Sequence, residues 1–359
     1  MNRRHIFVGA AGAAALAAPN LASAQPRIRW RVPGSFPKSL DTLYGTHEFI
    51  ARRVNELTDG AFQLQIFGPG ELVPALNVLD AASAGTVEAG FTSAYYYLGK
   101  DPSLAVATCL PFGLNSRQHW AWLTQAGGRD LYAPVYRDQG VHGIPAGNTG
   151  AQMGGWFRKE IKSLEDLRGL KFRIAGFGGN VLGKLGVITQ QIGGADIYPA
   201  LERGVIDGAE WVGPYDDEKL GFNRVAPFYY YPGWWEYSPS IDLMVNNRAW
   251  DALPKQYQHV LESACAEAWH WMAARYDVLN PPAMRRLIAA GTQLKPFPRE
   301  VMAASYRASQ EFFTEVGERN PRFKSIHEQW NKFRLDQIPW HRVAEDSLAN
   351  FLAVTTSQR

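Results

Sequence analysis

Four short stretches of this 359-residue chain set polar side chains among apolar ones. Residues 206–217, IDGAEWVGPYDD, read as the edge of a buried strand, yet Glu210 and Trp211 stand in the middle. In GNTGAQMGGW, Asn148 and Gln152 lie among small residues, where an amide can approach a ligand without obstruction. Arg173 follows Leu170 to Phe172, and its planar guanidinium suits a carboxylate held by two parallel hydrogen bonds. Glu236 follows two tryptophans in YYYPGWWEYSP. A buried carboxylate is costly unless a cation or donor compensates it. A metal ion would do so. An oxygen-only set drawn from Glu210, Glu236, the Gln152 amide oxygen and a backbone carbonyl favours Na+ or Ca2+ over zinc.

Other chemistries leave no such trace. The nucleophile elbow Gly-x-Ser-x-Gly does not occur. His47-Glu48 is followed by FIA and His327-Glu328 by QWN, so neither completes a zinc-protease helix. In AGFGGN, Gly176 and Gly178 begin like a dinucleotide fingerprint, but Val181 stands where the third glycine belongs. A glycine-rich turn after a strand still offers backbone N–H groups to an anion. An enzyme acting on a small acid, with Glu210 as general base, is the rival from another class. No nucleophile or second acid–base partner accompanies it.

These residues need elements to hold them. Ile28, Trp30 and Val32 alternate with arginines as on a strand with one protected face. Residues 41–57 repeat apolar positions at three- and four-residue steps, predicting a helix with Asp41 as N-cap and Gly60 as a stop. FQLQIF, residues 62–67, alternates again, which makes a strand–helix–strand unit and a parallel pair. The pattern returns through the strand ending at Arg173, a helix containing Tyr198 to Arg203, and the 206–217 stretch. From about Pro254 the chain reads as helical up to Pro281-Pro282, with a strand-like GTQLKPF, a helix over 300–317 and an amphipathic closing arm beyond.

Composition narrows the partners. The chain begins with Arg3 and Arg4 ahead of an apolar run ending at Ala22-Ser23-Ala24, the pattern of an export leader over residues 1–24, cleaved near Gln25. The arginine pair also resembles a twin-arginine signal, with Asn2 where Ser or Thr is usual. Loss of the leader lowers the formal net charge from +3 to +1, a balance that gives no reason to expect nucleic acid as a partner. The length exceeds what one core usually supports, so two lobes are expected. Cys109 and Cys265 are compatible with a bridge in an oxidising compartment or with two buried thiols.

YPALERGVIDGAEWVGPYDDEKLGF, with YYYPGWWE after it and GELVPALNVLDAASAGTVEAG and SAYYYLGKDPS before it, resembles the solute-binding proteins of TRAP (tripartite ATP-independent periplasmic) transporters. The likeness is to the branch that binds 2-oxoacids or lactate through a metal ion. It implies a two-lobed α/β binding protein of the Venus-flytrap type in the periplasm, with the ligand in the cleft and a carboxy-terminal helical arm. The lobes are expected as 25–147 completed by about 238–253, and 148–237 completed by part of 254–320, with the arm at 321–359. A ligand-sensing protein of the same fold would read alike.

The resemblance also implies roles. Arg173 would bind the substrate carboxylate, and Gln152, Glu210 and the Trp211 carbonyl would hold the metal. Asn148 would hydrogen-bond the ligand, and Phe67, Tyr96 and Phe177 are candidates for the apolar wall, with Tyr95 and Tyr97 not separable from Tyr96. Glu236 decides the metal's character: as a ligand it suits Ca2+, and pointing away it leaves Na+ equally placed. The implied partners are a small carboxylate, the membrane permease subunits and a second copy of the chain.

Overall fold

A computed structural model of the protein describes residues 26–356, so the leader expected at 1–24 lies outside the described residues. The strands are β1 (Ile28–Pro33), β2 (Phe62–Phe67), β3 (Ala89–Thr92), β4 (Val141–Asn148), β5 (Trp156–Phe157), β6 (Lys171–Arg173), β7 (Ile188–Gln190), β8 (Gly208–Ala209), β9 (Phe228–Tyr231), β10 (Ser240–Asn246) and β11 (Gln293–Pro296). β1 and β2 pair in parallel around the helix Leu43–Leu57. A bridge from Gly34 to Phe91 joins this pair to the sheet β3-β10-β4. The second sheet runs β11-β9-β5-β8-β6-β7. Its inner strands β5 and β8 span only two residues each, so the chain soon leaves them toward the cleft.

Two lobes result, and two of the chain's crossings between them lie near the centre, while the helix Lys255–Ala289 carries the chain across again from β10 to β11. β4 leaves the first sheet and leads through residues 149–155 into β5, while residues 232–239 return from β9 to β10. The crossings lie side by side, with Thr149 N–H donating to Pro239 O at 3.1 Å and Gln152 N–H to Glu236 O at 3.4 Å. Glycine makes the approach feasible, since a Cβ at Gly233 would stand 2.4 Å from the Gln152 carbonyl oxygen.

Several details differ from the sequence reading. The Leu43–Leu57 helix is capped at Thr42 without a side-chain bond, and Asp41 instead pairs with Lys219 and Arg275. The helix beginning at Lys255 does not stop at Pro281-Pro282 but continues to Ala289. Its flank is held there by the helix Pro214–Leu220, whose Tyr215 N–H donates to Asn280 Oδ1 at 3.1 Å, just before the prolines. AGFGGN is the opening of a helix, Gly176–Lys184, rather than a free turn. Cys109 and Cys265 are separate buried thiols.

Candidate ligand and metal site

β6 ends at Arg173 and its neighbour β8 at Ala209, in parallel register, so Arg173 and Glu210 emerge side by side at the carboxyl edge of the second sheet. Backbone pairing continues past the strands, with Glu210 N–H donating to Arg173 O at 3.1 Å. Arg173 is 1% exposed and Glu210 is fully buried. Nη1 donates to the Glu210 backbone oxygen at 2.8 Å and to its carboxylate Oε1, and Nε to Ile192 O at 3.2 Å. Arg173 lines the cleft cavity, and its Nη2 makes no hydrogen bond among the described residues. The Trp211 indole lies 5.1 Å from the guanidinium carbon and restrains it.

The glycine-rich helix opening does meet an anion, and the anion is internal. Ala175 N–H, immediately before Gly176, donates to Glu210 Oε1 at 3.2 Å. Gln152 and Glu236 arrive on the two crossings, so both stand at the boundary between lobes. Glu236 Oε2 accepts from the Tyr95 hydroxyl at 3.3 Å, and Gln152 Nε2 donates to Thr149 Oγ1 at 3.3 Å. Three oxygens in this group have no hydrogen-bond partner although fully buried: Gln152 Oε1, Glu210 Oε2 and Glu236 Oε1. Burial pushes the Glu210 carboxyl up, with Arg173 opposing. Burial, then the neighbouring Glu210, raises Glu236 well above the usual carboxylate range. Two acids that disfavour each other's charge, beside an amide oxygen, are a donor set fitted to a hard cation. No group of three or more His, Cys, Asp or Glu suited to a metal occurs among the described residues, so any metal here rests on two carboxylates supplemented by neutral oxygens.

A small cavity separates the lobes at this point, with about 10 Å³ of interior, close to one water-sized sphere. Phe36, Leu43, Ser93, Tyr95 and Tyr96 line it from the first lobe, Arg173, Trp211 and Val212 from the second, and Thr149, Gln152 and Pro239 from the crossings. Of the residues expected from sequence, Gln152, Arg173, Glu210, Trp211, Glu236 and Tyr96 converge here. Glu210 and Glu236 stand just behind its lining, on Arg173 and Tyr95, whereas the other three lie elsewhere. The Asn148 side chain ties the crossings together, donating to Ser238 O at 3.2 Å and accepting from Ser238 Oγ at 2.7 Å and Gly150 N at 2.9 Å. Phe177 packs against Phe312, Phe313 and Phe323. Phe67 ends β2, where its carbonyl accepts from Gly34 N–H at 2.8 Å. Of the tyrosine run, Tyr95 reaches Glu236, whereas the Tyr97 hydroxyl accepts from Leu79 N–H at 3.1 Å. Phe36, Leu43, Ser93 and Thr149 carried no sequence signal, being common residue types in unremarkable contexts.

Two α/β lobes joined by paired crossings and closed on a charged cavity define a cleft-type solute-binding protein. Residues 34–320 match the profile of the bacterial extracellular solute-binding proteins, family 7, and the chain belongs to that family. It is a receptor for a solute and not an enzyme. A monocarboxylate 2-oxoacid-binding periplasmic protein of Nostoc sp. is 51% identical over 98% of this chain and 99% of its own. A TRAP transporter solute-binding protein of Bordetella bronchiseptica, solved as a mixed-occupancy dimer with calcium and picolinate in one active site and the other apo, is 52% identical. It covers 93% of this chain and 99% of its own, with a TM-score of 0.91. A TRAP periplasmic solute-binding protein of Pseudoalteromonas atlantica with bound sodium and pyruvate is 34% identical over 90% of this chain and 99% of its own, with a TM-score of 0.88.

Proposed function

We propose that this protein captures a small 2-oxo or 2-hydroxy monocarboxylate together with Na+ or Ca2+ in the periplasm and delivers it to the membrane permease subunits of a TRAP transporter. The observation that carries the reading is the set of three partnerless oxygens, on Gln152, Glu210 and Glu236, beside a buried guanidinium with one edge open. The named ligands of the Nostoc, Bordetella and Pseudoalteromonas proteins support it.

Arg173 Nη2 donates to the ligand carboxylate, while Trp211 and Ile192 O keep the guanidinium in place. Gln152, Glu210, the Trp211 carbonyl and Glu236 would hold the cation, which supplies the positive charge that lets both acids ionise and gives the ligand's 2-oxo and carboxylate oxygens a shared partner. Apolar walls from both lobes, Leu43 and Val212 among them, exclude water from the ligand's short tail. Contacts made from both sides only in the closed state shift the population to that state.

The lobes are assigned as residues 25–147 with about 238–253, and 148–237 with part of 254–320. The antiparallel pairing of β10 with β3 and β4, and the pairing of β11 with β9, support that division. The arm from residue 321 presents Ile338, Trp340, Val343, Phe351 and Val354 to solvent, an apolar stripe suited to a second copy of the chain.

Pyruvate titrations followed by tryptophan fluorescence test the reading, with Trp211 as internal probe. Arg173→Met is expected to weaken binding about ten- to hundredfold, the worth of a charge-assisted hydrogen bond. Retained affinity would remove Arg173 from the role.

A further inference from the structure

Three carboxylates among the described residues are buried with one oxygen lacking a hydrogen-bond partner: Glu210, Glu236 and Asp242. The first two share the ligand site. Asp242 follows Ile241 on β10, where the register with β4 shifts, and the two residues line different cavities. Ile241 lines the ligand cavity, and Asp242 lines another, of about 560 Å³, bounded by the helices Ser116–Gln125 and Gly128–Asp138 and by β4. That volume lies in the range of small-molecule sites, roughly 300–1,000 Å³.

We propose that this second cavity, outside the ligand cleft, binds a small primary ammonium through the Asp242 carboxylate. Asp242 is 1% exposed, and its Oδ2 has no hydrogen-bond donor. The Tyr136 hydroxyl, also buried and without a hydrogen bond of good geometry, stands beside Asp242 and lines the same space. Arg129, the cation at the rim, is taken by Glu262 at 3.1 Å, so the interior carboxylate has no ion-pair partner of its own among the described residues. His142 does not supply one: its ring is stacked on Trp250 at 3.9 Å, and burial lowers its pKa to about 4, leaving it neutral. A buried carboxylate without a cation or full hydrogen bonding is costly, and an ammonium that donates to Asp242 and Tyr136 removes the cost. The cavity exceeds what a bare metal ion occupies, and only one fully buried acid lines it.

Thermal-shift and calorimetric titrations of the full chain with methylammonium and ethanolamine test the assignment, with tetramethylammonium, which cannot donate hydrogen bonds, as control. Expected is saturable stabilisation by the primary amines, at least about tenfold weaker in Asp242→Asn and weaker for tetramethylammonium. Pyruvate binding, which uses the other cavity, should be unchanged in that variant and reports that it is folded. Absence of saturable binding to the wild type, or equal affinity in Asp242→Asn, would overturn the proposal. Should Asp242→Asn not fold, Tyr136→Phe tests the same contact: weakened amine binding supports the site, and unchanged affinity contradicts it.

Discussion

At the residue scale, Arg173 and Glu210 constrain each other. The pair is buried on both sides, so removing one partner leaves an uncompensated charge, a loss of about 3–5 kcal/mol. Arg173→Met should therefore lose stability as well as ligand, measurable as a lower denaturant midpoint in the metal-free protein, and the double variant Arg173→Met/Glu210→Leu should recover much of it. pH acts through the same acids. Burial raises the Glu210 and Glu236 pKa values in the metal-free protein, so each holds its proton further up the pH scale, and a cation must displace it. Calcium affinity should fall as pH drops from about 8 to about 5, with protons released on binding, as calorimetry in buffers of different ionisation enthalpy would read. Affinity independent of pH would contradict the placement of these carboxylates at the cation. Glu236→Gln should weaken calcium more than about tenfold while sparing sodium, since it removes charge and keeps an oxygen donor. Equal loss of both ions would contradict that placement.

The buried pairing of Arg173 with Glu210 was legible because burial and charge are in conflict in the sequence itself. Glu210 between Ala209 and Trp211, and Arg173 at the end of a strand, announce a need for partners that a local pattern can register. The apolar wall was not legible. Phe177 and Tyr96 look alike in sequence, but one helix turn directs Phe177 into the cluster with Phe312, Phe313 and Phe323. The short 3-10 turn Ala94–Tyr97 sets Tyr95 and Tyr96 toward the cleft and Tyr97 away from it.

At the scale of elements, the strand–helix–strand units were read from periodicity, and β1, β2 and the helix between them lie within a residue or two of that reading. What failed was punctuation. Asp41 resembled a cap because a cap and a long-range ion pair ask for the same residue type, and the partner Lys219 is far away in sequence. Pro281-Pro282 resembled a stop because local propensity says so, whereas packing of a 35-residue helix on its neighbours outweighs it. The packing of Phe177 carries a prediction: Phe177→Ala should cost about 3–5 kcal/mol of stability with little change in ligand affinity. A selective loss of pyruvate binding at full stability would return the residue to the cavity wall.

For the whole molecule, Gln152 and Glu236 belong to neither sheet and lie on the two central crossings where the lobes meet, while the helix Lys255–Ala289 also links β10 of the first sheet to β11 of the second. The arm adds a second level. Its apolar stripe from Ile338 to Val354 is exposed, so a variant ending at His341 should sediment as a monomer where the full chain sediments as a dimer. A full chain that is monomeric at micromolar concentration would count against a helical arm built for pairing. The central claim, that a cation and a carboxylate are held together in the cleft, is tested most directly by calorimetric titration of pyruvate into protein stripped of metal and into the same protein with calcium or sodium restored. Binding should be absent or weakened at least about hundredfold without the cation and return when either ion is added. Equal pyruvate affinity in the stripped and restored protein would contradict the account.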